Sequence, residues 1–451
     1  MEYKISNRLK IGAIILIVLG ALGVGYGFID SHNYTEDNIT EFLADEDGHG
    51  GAHAEEAHGE SHGETVGHAE EGHGDEAHGA EAEGHKMTHE EHVLHQLHNR
   101  PYAALYVAAF FFFMIALGVL AFYAVQYASQ AGWSPVLFRV MEGITSYVLP
   151  GGLIVLAIVW FADKHLFIWL DPDVVAHDAI IQGKESWLNK PWFFIRGLIF
   201  LGGWSLYRYF SRKFSVAQDH SDDNSYFKKN FRISAAFLVF FIYTESMMSW
   251  DWIMSVDPHW FSTLFGWYLL AGMLVCGVTT ISMIAIYLKS KGLLEHVNDS
   301  HIHDLAKFMF GFSIFWTYLW FSQFMLIWYS NIPEEVTYFV TRIEDYNLPF
   351  FGMVVMNFVF PLLLLMNSDF KRVNWFVIMA GIVILAGHYL DIFNMIMPAT
   401  VGDRWFIGIP EIGALLLFAG LFMLIVFTAL GKYPLLAKGS PFIKESKNFH
   451  Y

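Results

Sequence analysis

Residues 250–268, WDWIMSVDPHWFSTLFGWY, decide how this chain is read. They join two long apolar segments, so they belong at a membrane surface. There they gather Asp251, Asp257 and His259 among Trp250, Trp252, Trp260, Phe261 and Trp267. Tryptophan favours the membrane–water boundary, which accounts for the aromatic residues. It does not account for two carboxylates and an imidazole in one short turn. Ionisable groups beside hydrocarbon are costly and mark ion, proton or ligand routes. An aromatic belt around a solvated turn is the plainer alternative.

The 451 residues are 55% hydrophobic with a mean hydropathy of +0.38, too apolar for a soluble multidomain protein. Runs long enough to cross a bilayer recur along the chain, at about 11–29, 103–127, 145–162, 192–210, 231–249, 264–288, 308–329, 348–366, 373–394 and 409–430. They show no strand-length alternation, and a helix satisfies its own backbone in lipid. The expectation is an all-α integral membrane protein with ten transmembrane helices. The formal charge of −17 is local: residues 30–100 hold 19 Asp/Glu and 2 Lys/Arg, while the rest of the chain balances. That acidity therefore implies nothing about nucleic acid. With the N-terminus placed in the cytoplasm, the inside segments carry 19 Lys/Arg and the outside segments 7. Positive charge favours the cytoplasmic side, so this fits ten crossings with both termini cytoplasmic. The first run is long for a signal-peptide core and no small-residue cleavage site follows, so residues 1–29 read as a retained anchor.

Cys276 is the single cysteine, which excludes intrachain disulfides, thiolate-held iron–sulfur clusters and a C-x-x-C-H haem attachment. A haem with two axial histidines needs two at similar depth, yet only His388 lies well inside a run, with His165 and His259 at edges. Any electrons handled here belong to another subunit. Residues 30–100 form a long external loop in which 49–98 contain 12 histidines spaced by Gly, Ala and Glu. Such a tract can bind transition metals, but it offers no fixed geometry, and a hydrated acidic surface suited to a basic partner is the preferred reading. From Thr88 the pattern THEEHVLHQLHNRP turns helical, and Pro101 is expected to open the second span. The external segments 163–190, 250–263, 330–347 and 395–408 are short and rich in aromatic and acidic residues, while the inside ones are basic and plainer. Helices three to six and seven to ten read as two similar four-helix sets.

Four residues are candidates for proton or quinol chemistry. Glu245, near the outer end of the fifth helix, shares a face with Ser249, and Asp251 neighbours that stripe. On the ninth helix, GHYLDIFNMIMP sets His388 and Asp391 three apart on one face, with Asn394 continuing it. An imidazole and a carboxylate in low dielectric can exchange a proton near neutral pH, one accepting a quinol hydroxyl proton and the other relaying it. Structural hydrogen bonding is the alternative for each. Arg196, after KPWFFIRG opens the fourth span, either snorkels or pairs with one of these acids, and pairing is preferred. Ser322, Gln323, Tyr329, Ser330 and Asn331 are polar within LWFSQFMLIWYSNIPEE and fit helix-to-helix bonding as well as a water path. Glu142 and Lys307 fit either a cytoplasmic half-channel or surface salt bridges. Glu411 suits the N-terminus of the last helix. No phosphate loop, Ser–His–Asp spacing or metal-ligand motif occurs in the helices.

Together the ten runs, SMMSWDWIMSVDPHWFSTLFGWY, WFSQFMLIWYSNIPEE and HYLDIFNMIMP resemble the NrfD/polysulfide-reductase-type membrane family, in particular the membrane subunits of alternative complex III, a bacterial quinol:cytochrome c oxidoreductase. The likeness extends over residues 100–435 and leaves out the His-rich loop. It implies two four-helix bundles plus two further helices. With the runs and loops above, the chain divides into an anchor (1–29), a His/Glu/Gly-rich periplasmic loop (30–100), a nine-helix domain (101–435) and a cytoplasmic tail (436–451). The likeness also implies a bacterial inner-membrane location and no redox centre in this chain. Partners would be a paralogous membrane subunit, where quinol oxidation is usually placed, and periplasmic subunits carrying iron–sulfur clusters and haem c. Glu245, Asp251, His388 and Asp391 are the residues onto which quinol or proton work would carry over. A structural scaffold and a proton-coupled secondary transporter are the rival classes. Broken helices rich in Gly and Pro would favour the transporter, but the prolines here sit near helix ends except Pro361.

Overall fold

The computed structural model describes residues 3–35, 38–39 and 88–450. The His-rich tract, and with it any metal reading of residues 49–85, lies outside the described residues. Among the described residues there is no strand, and nine helical stretches are long and apolar enough to cross a membrane. In chain order the helices are α1 (Asn7–His32), α2 (His89–Ala128), the segmented α3 (Pro135–His165), α4 (Lys190–Gln218), α5 (Ser225–Trp252), α6 (Phe265–Ser290), α7 (Asp299–Ser330), α8 (Asn347–Leu365), α9 (Asn374–Val401) and α10 (Ile409–Leu430).

Helix α4 is the one outside that count of nine. Arg196, Arg208, Arg212 and Lys213 interrupt its apolar face, yet its 29 residues extend about 43 Å at 1.5 Å per residue. It runs the full length of the bundle. At one end Lys190 pairs with Asp163 (2.7 Å), and at the other the Gly439 N–H donates to Asp219 (2.9 Å). The second of these is the terminal end: Tyr3 packs against Phe427 there, and Ser446 donates to the Trp133 carbonyl (2.6 Å). The opposite, distal end carries the segments between α3 and α4, α5 and α6, α7 and α8, and α9 and α10.

Helix α2 is the axis, touching α1, α3, α5, α6, α9 and α10, with 94% of its most apolar window buried. Helices α2, α3, α4 and α5 close one ring of four, α6, α7, α8 and α9 close a second, and α1 pairs with α10. The grouping expected from sequence, three to six and seven to ten, is therefore displaced by one helix. The reason is the α1–α10 contact. It is antiparallel and glycine-lined: a Cβ on Gly23 would stand 2.9 Å from the Gly413 Cα. Small residues let two helix backbones approach closely where lipid supplies no hydrophobic drive.

Three local features also depart from expectation. Pro101 does not open a helix but lies inside a continuous 40-residue α2, because a Thr88–Glu91 capping box starts that helix a full three turns earlier. Segment 330–347 contains a 12-residue helix, Pro333–Glu344, rather than a plain loop. Within α8, residues Val355–Val359 form a π-turn just before Pro361. A proline lacks the N–H needed for a regular helical bond, and the wider turn absorbs that loss.

The α1–α10 contact is testable. Gly23→Leu is expected to cost about 1–3 kcal/mol by overpacking, whereas Gly25→Leu, where a Cβ meets nothing within 4 Å, is expected to be neutral. Denaturant unfolding of the purified protein in detergent compares the two.

Candidate functional site

The aromatic turn joins α5 to α6 at the distal end. Asp251 is buried on the last turn of α5, where its Oδ2 accepts from Arg196 Nε (2.6 Å) and its Oδ1 from Trp187 Nε1 (2.8 Å). The Arg196 guanidinium also lies 4.2 Å over the Trp187 ring and donates to the Trp187 carbonyl (3.0 Å). The pairing preferred for Arg196 is present, and it ties α4, α5 and the segment before α4 together. Beside it opens a recess of about 520 Å³ walled by Trp187, Trp250, Trp260 and Phe261, with Lys184 and Asp251 as its charged groups. Lys184 donates to the Pro258 carbonyl (2.5 Å), which fixes the floor of the turn.

His259 and Asp257 serve this turn from outside. His259 Nε2 lies 2.5 Å from Asp178 Oδ2, and Asp257 accepts the His259 backbone N–H (3.3 Å). Slight burial pulls the Asp178 carboxyl upward, but the Ile181 and Ile180 N–H groups and the His259 imidazole outweigh it and hold the carboxyl below its ordinary range. Asp178 therefore pins the short helix Ala179–Lys184 to the aromatic turn.

Glu245 stands apart from Asp251. Six residues separate them, which turns them well away from each other around α5. Glu245 is fully buried; among the described residues its Oε2 accepts only from Ser246 Oγ (3.4 Å), and its Oε1 has no hydrogen-bond partner. The stripe read from sequence as one constellation is thus two separate carboxylates.

The second cluster lies deeper, where α6, α7 and α9 meet. Asp391 accepts from the Tyr268 hydroxyl and from Trp316 Nε1 (2.9 Å). His388 Nδ1 is 3.5 Å from Asp391 Oδ2, and neither ring nitrogen has a hydrogen-bond partner among the described residues. Trp316 stands edge-on to the imidazole, ring centres 5.2 Å apart. The Asn394 side chain, one turn further, donates to the Pro349 carbonyl (3.1 Å), and the Asn394 backbone carbonyl accepts from Arg342 Nε (3.0 Å). Arg342 is buried with its guanidinium 3.3 Å from the Tyr338 ring centre. Tyr268, Gln323, Tyr338, Arg342, Asp391 and Asn394 enclose a cavity of about 10 Å³, on the order of one water molecule. Trp260 stacks on Tyr338 at 3.9 Å and also walls the outer recess, so a single aromatic pair separates that recess from the inner cavity.

The remaining sequence candidates have structural ties. Glu411 caps α10 through the Gly408 N–H (2.8 Å) and pairs with Arg100 (2.8 Å). Glu142 is gripped by Arg139 (2.6 Å) and the Tyr123 hydroxyl (3.0 Å), and Lys307 pairs with Asp304 (2.9 Å). On α7, Tyr329 is exposed, Ser330 donates to its own helix at the Leu326 carbonyl, and Asn331 takes a left-handed conformation at the helix end. Tyr268, Trp316, Trp187, Lys184 and Arg342 were not singled out by sequence. All five carry a polar tip on a long apolar or aromatic body, so they blend into a belt unless the depth of each helix is known.

No family model and no curated protein matches the chain.

The Asp251–Arg196 pair makes a direct prediction. Arg196→Gln alone is expected to cost about 3–5 kcal/mol, because it leaves a buried carboxylate unpaired. The double variant Arg196→Gln/Asp251→Asn is expected to recover a large part of that loss, measured by denaturant unfolding in detergent.

Proposed function

We propose that this chain is an ActF-like, NrfD-type membrane subunit of a bacterial quinol:cytochrome c oxidoreductase of the alternative complex III type. In this reading it crosses the inner membrane ten times, α4 included, with both termini cytoplasmic and the distal end facing the periplasm. Support for the even count comes from the helix contacts: α1 and α10 are antiparallel, and Tyr3 meets the end of α10. The positive charge at the terminal end supports the orientation.

The functional reading rests on a mainly apolar, aromatic-walled recess with two charged groups, set in front of the buried His388–Asp391 cluster. The recess offers flat aromatic walls for a quinol ring and two charged groups, Lys184 and Asp251, for its hydroxyls. Oxidation of a quinol releases two electrons and two protons. The electrons pass to iron–sulfur clusters and c-type haems of partner subunits on the periplasmic side. The protons are the share of this chain. Asp391, held by Tyr268 and Trp316, exchanges a proton with His388, whose two nitrogens are otherwise free of hydrogen bonds. Glu245, with one oxygen unpartnered, is a further proton carrier on α5.

A scaffold reading is favoured by one specific feature. The carboxylates of Asp251 and Asp391 are each saturated by donors from this chain, as in purely structural ties. In that case quinol oxidation belongs to a paralogous membrane subunit, and the polar clusters hold helices together.

Quinol:cytochrome c turnover of the purified complex separates the two. With Asp391→Asn and His388→Gln, turnover is expected to fall at least tenfold, in line with the loss of a general base (roughly 10²–10⁴), while haem content stays unchanged. Unchanged turnover would overturn the proton role and leave the scaffold.

A further inference from the structure

The terminal end holds a second large recess, of about 770 Å³, unrelated to the aromatic turn. Arg208, Arg212 and Lys213 of α4 line it on one side and Lys432 beyond α10 on the other, with Ser146, Tyr209, Thr428 and Tyr433 supplying hydroxyls. The acids nearby are already engaged. Glu142 is held by Arg139 at 2.6 Å and lies 3.5 Å from Arg212, while Asp219 accepts from Arg139 (2.5 Å) and the Gly439 N–H. Arg208, Lys213 and Lys432 form no ion pair with any described residue. The Arg208 Nε is enclosed by the protein and makes no hydrogen bond with any described residue. Four cations thus converge on a hollow with a single, shared carboxylate at its edge.

Depth decides what the hollow faces. A hydrocarbon core about 30 Å thick corresponds to roughly 20 residues of helix. Counted from the exposed Trp192 near the start of α4, it ends close to Arg212. The recess therefore sits where lipid headgroups lie, and its mouth continues into apolar surface: Leu206, Tyr209 and Phe210 are exposed on α4, and Leu424 and Ile425 line the recess from α10. Basic hollows between helices at this level suit anionic headgroups, each surface Lys or Arg contributing about 1 kcal/mol.

We propose that this recess is a binding site for one anionic glycerophospholipid. Its phosphate is held by Arg208, Arg212 and Lys432 and by the hydroxyls of Ser146 and Thr428, and its acyl chains lie in the groove between α4 and α10. Lipid is favoured over a free phosphate because the charged hollow opens onto apolar surface rather than water alone. The assignment does not depend on quinol chemistry.

The test uses the purified full chain, delipidated in detergent and titrated with dioleoylphosphatidylglycerol or dioleoylphosphatidylcholine, with bound lipid counted by native mass spectrometry. One phosphatidylglycerol per chain is expected to bind at least tenfold tighter than phosphatidylcholine. Arg208→Gln/Lys432→Gln is expected to abolish that preference while leaving phosphatidylcholine retention and helix content unchanged. Lys213→Gln/Lys432→Gln, at two exposed lysines, guards against misfolding and is expected to lose at least threefold. Equal binding of the two lipids by the wild-type chain would overturn the site, as would an intact preference in either folded double variant. Full displacement of phosphatidylglycerol by an equal concentration of inorganic phosphate would replace the lipid with a free-phosphate site.

Discussion

A carboxylate buried among apolar helices must find its donors within the protein, and this one requirement organises the bundle. Asp391 collects a hydroxyl from α6 and an indole N–H from α7, so three helices must hold a common register for one side chain to be satisfied. Asp251 does the same for α5, α4 and the segment leading into α4, through Arg196 and Trp187. Each node belongs to one ring of four helices, and α2 runs against both rings. Slippage of a helix by a single residue would strip a buried charge of its partners, at a cost of several kcal/mol. The polar nodes therefore fix what apolar packing alone leaves loose.

The nodes also explain the difference between the two ends. At the distal end, aromatic residues surround a few charged groups, and the Trp260–Tyr338 pair stands between the outer recess and the cavity beside Asp391. At the terminal end, cations outnumber acids around a second recess, and Tyr3 packs against Phe427 of α10. In the proposed reading one end takes an amphipathic ring, and the other takes negative charge at a lipid surface. Between them His388 sits fully buried with both nitrogens free of hydrogen bonds to any described residue, next to Gly387, which packs against the π-turn on α8, where the Asn357 amide likewise finds no partner among the described residues. Single π-turns recur at functional sites, and unsatisfied buried polar groups call for an explanation that packing does not supply.

Much of the fold is legible in the sequence because lipid imposes its own rule: a run of about twenty apolar residues is a helix. The α4 run is the instructive case. Its arginines lower its apolarity, yet Arg196 is needed there because Asp251 is buried opposite it. Helix partners are less legible. The α1–α10 contact rests on Gly20, Gly23 and Gly413, and glycines in apolar runs do not announce which helix they face. For the site, the i, i+3 spacing of His388 and Asp391 was sufficient to pair them, whereas Glu245 and Asp251 were grouped by proximity in sequence and lie apart. Tyr268 and Trp316 could not be found, since their role depends on the relative depth of three helices. Arg342 was hidden in a segment that reads as a loop and folds as a helix.

In the proposed function Asp391 exchanges a proton with His388 during quinol turnover rather than serving only as a tie. Infrared difference spectroscopy of the purified complex, cycled between quinol and quinone, addresses that group directly. The expected result is a carboxyl C=O band that changes with the quinol state and disappears in Asp391→Asn. A carboxyl region that is silent in the wild-type complex, or a band that survives the substitution, would contradict it.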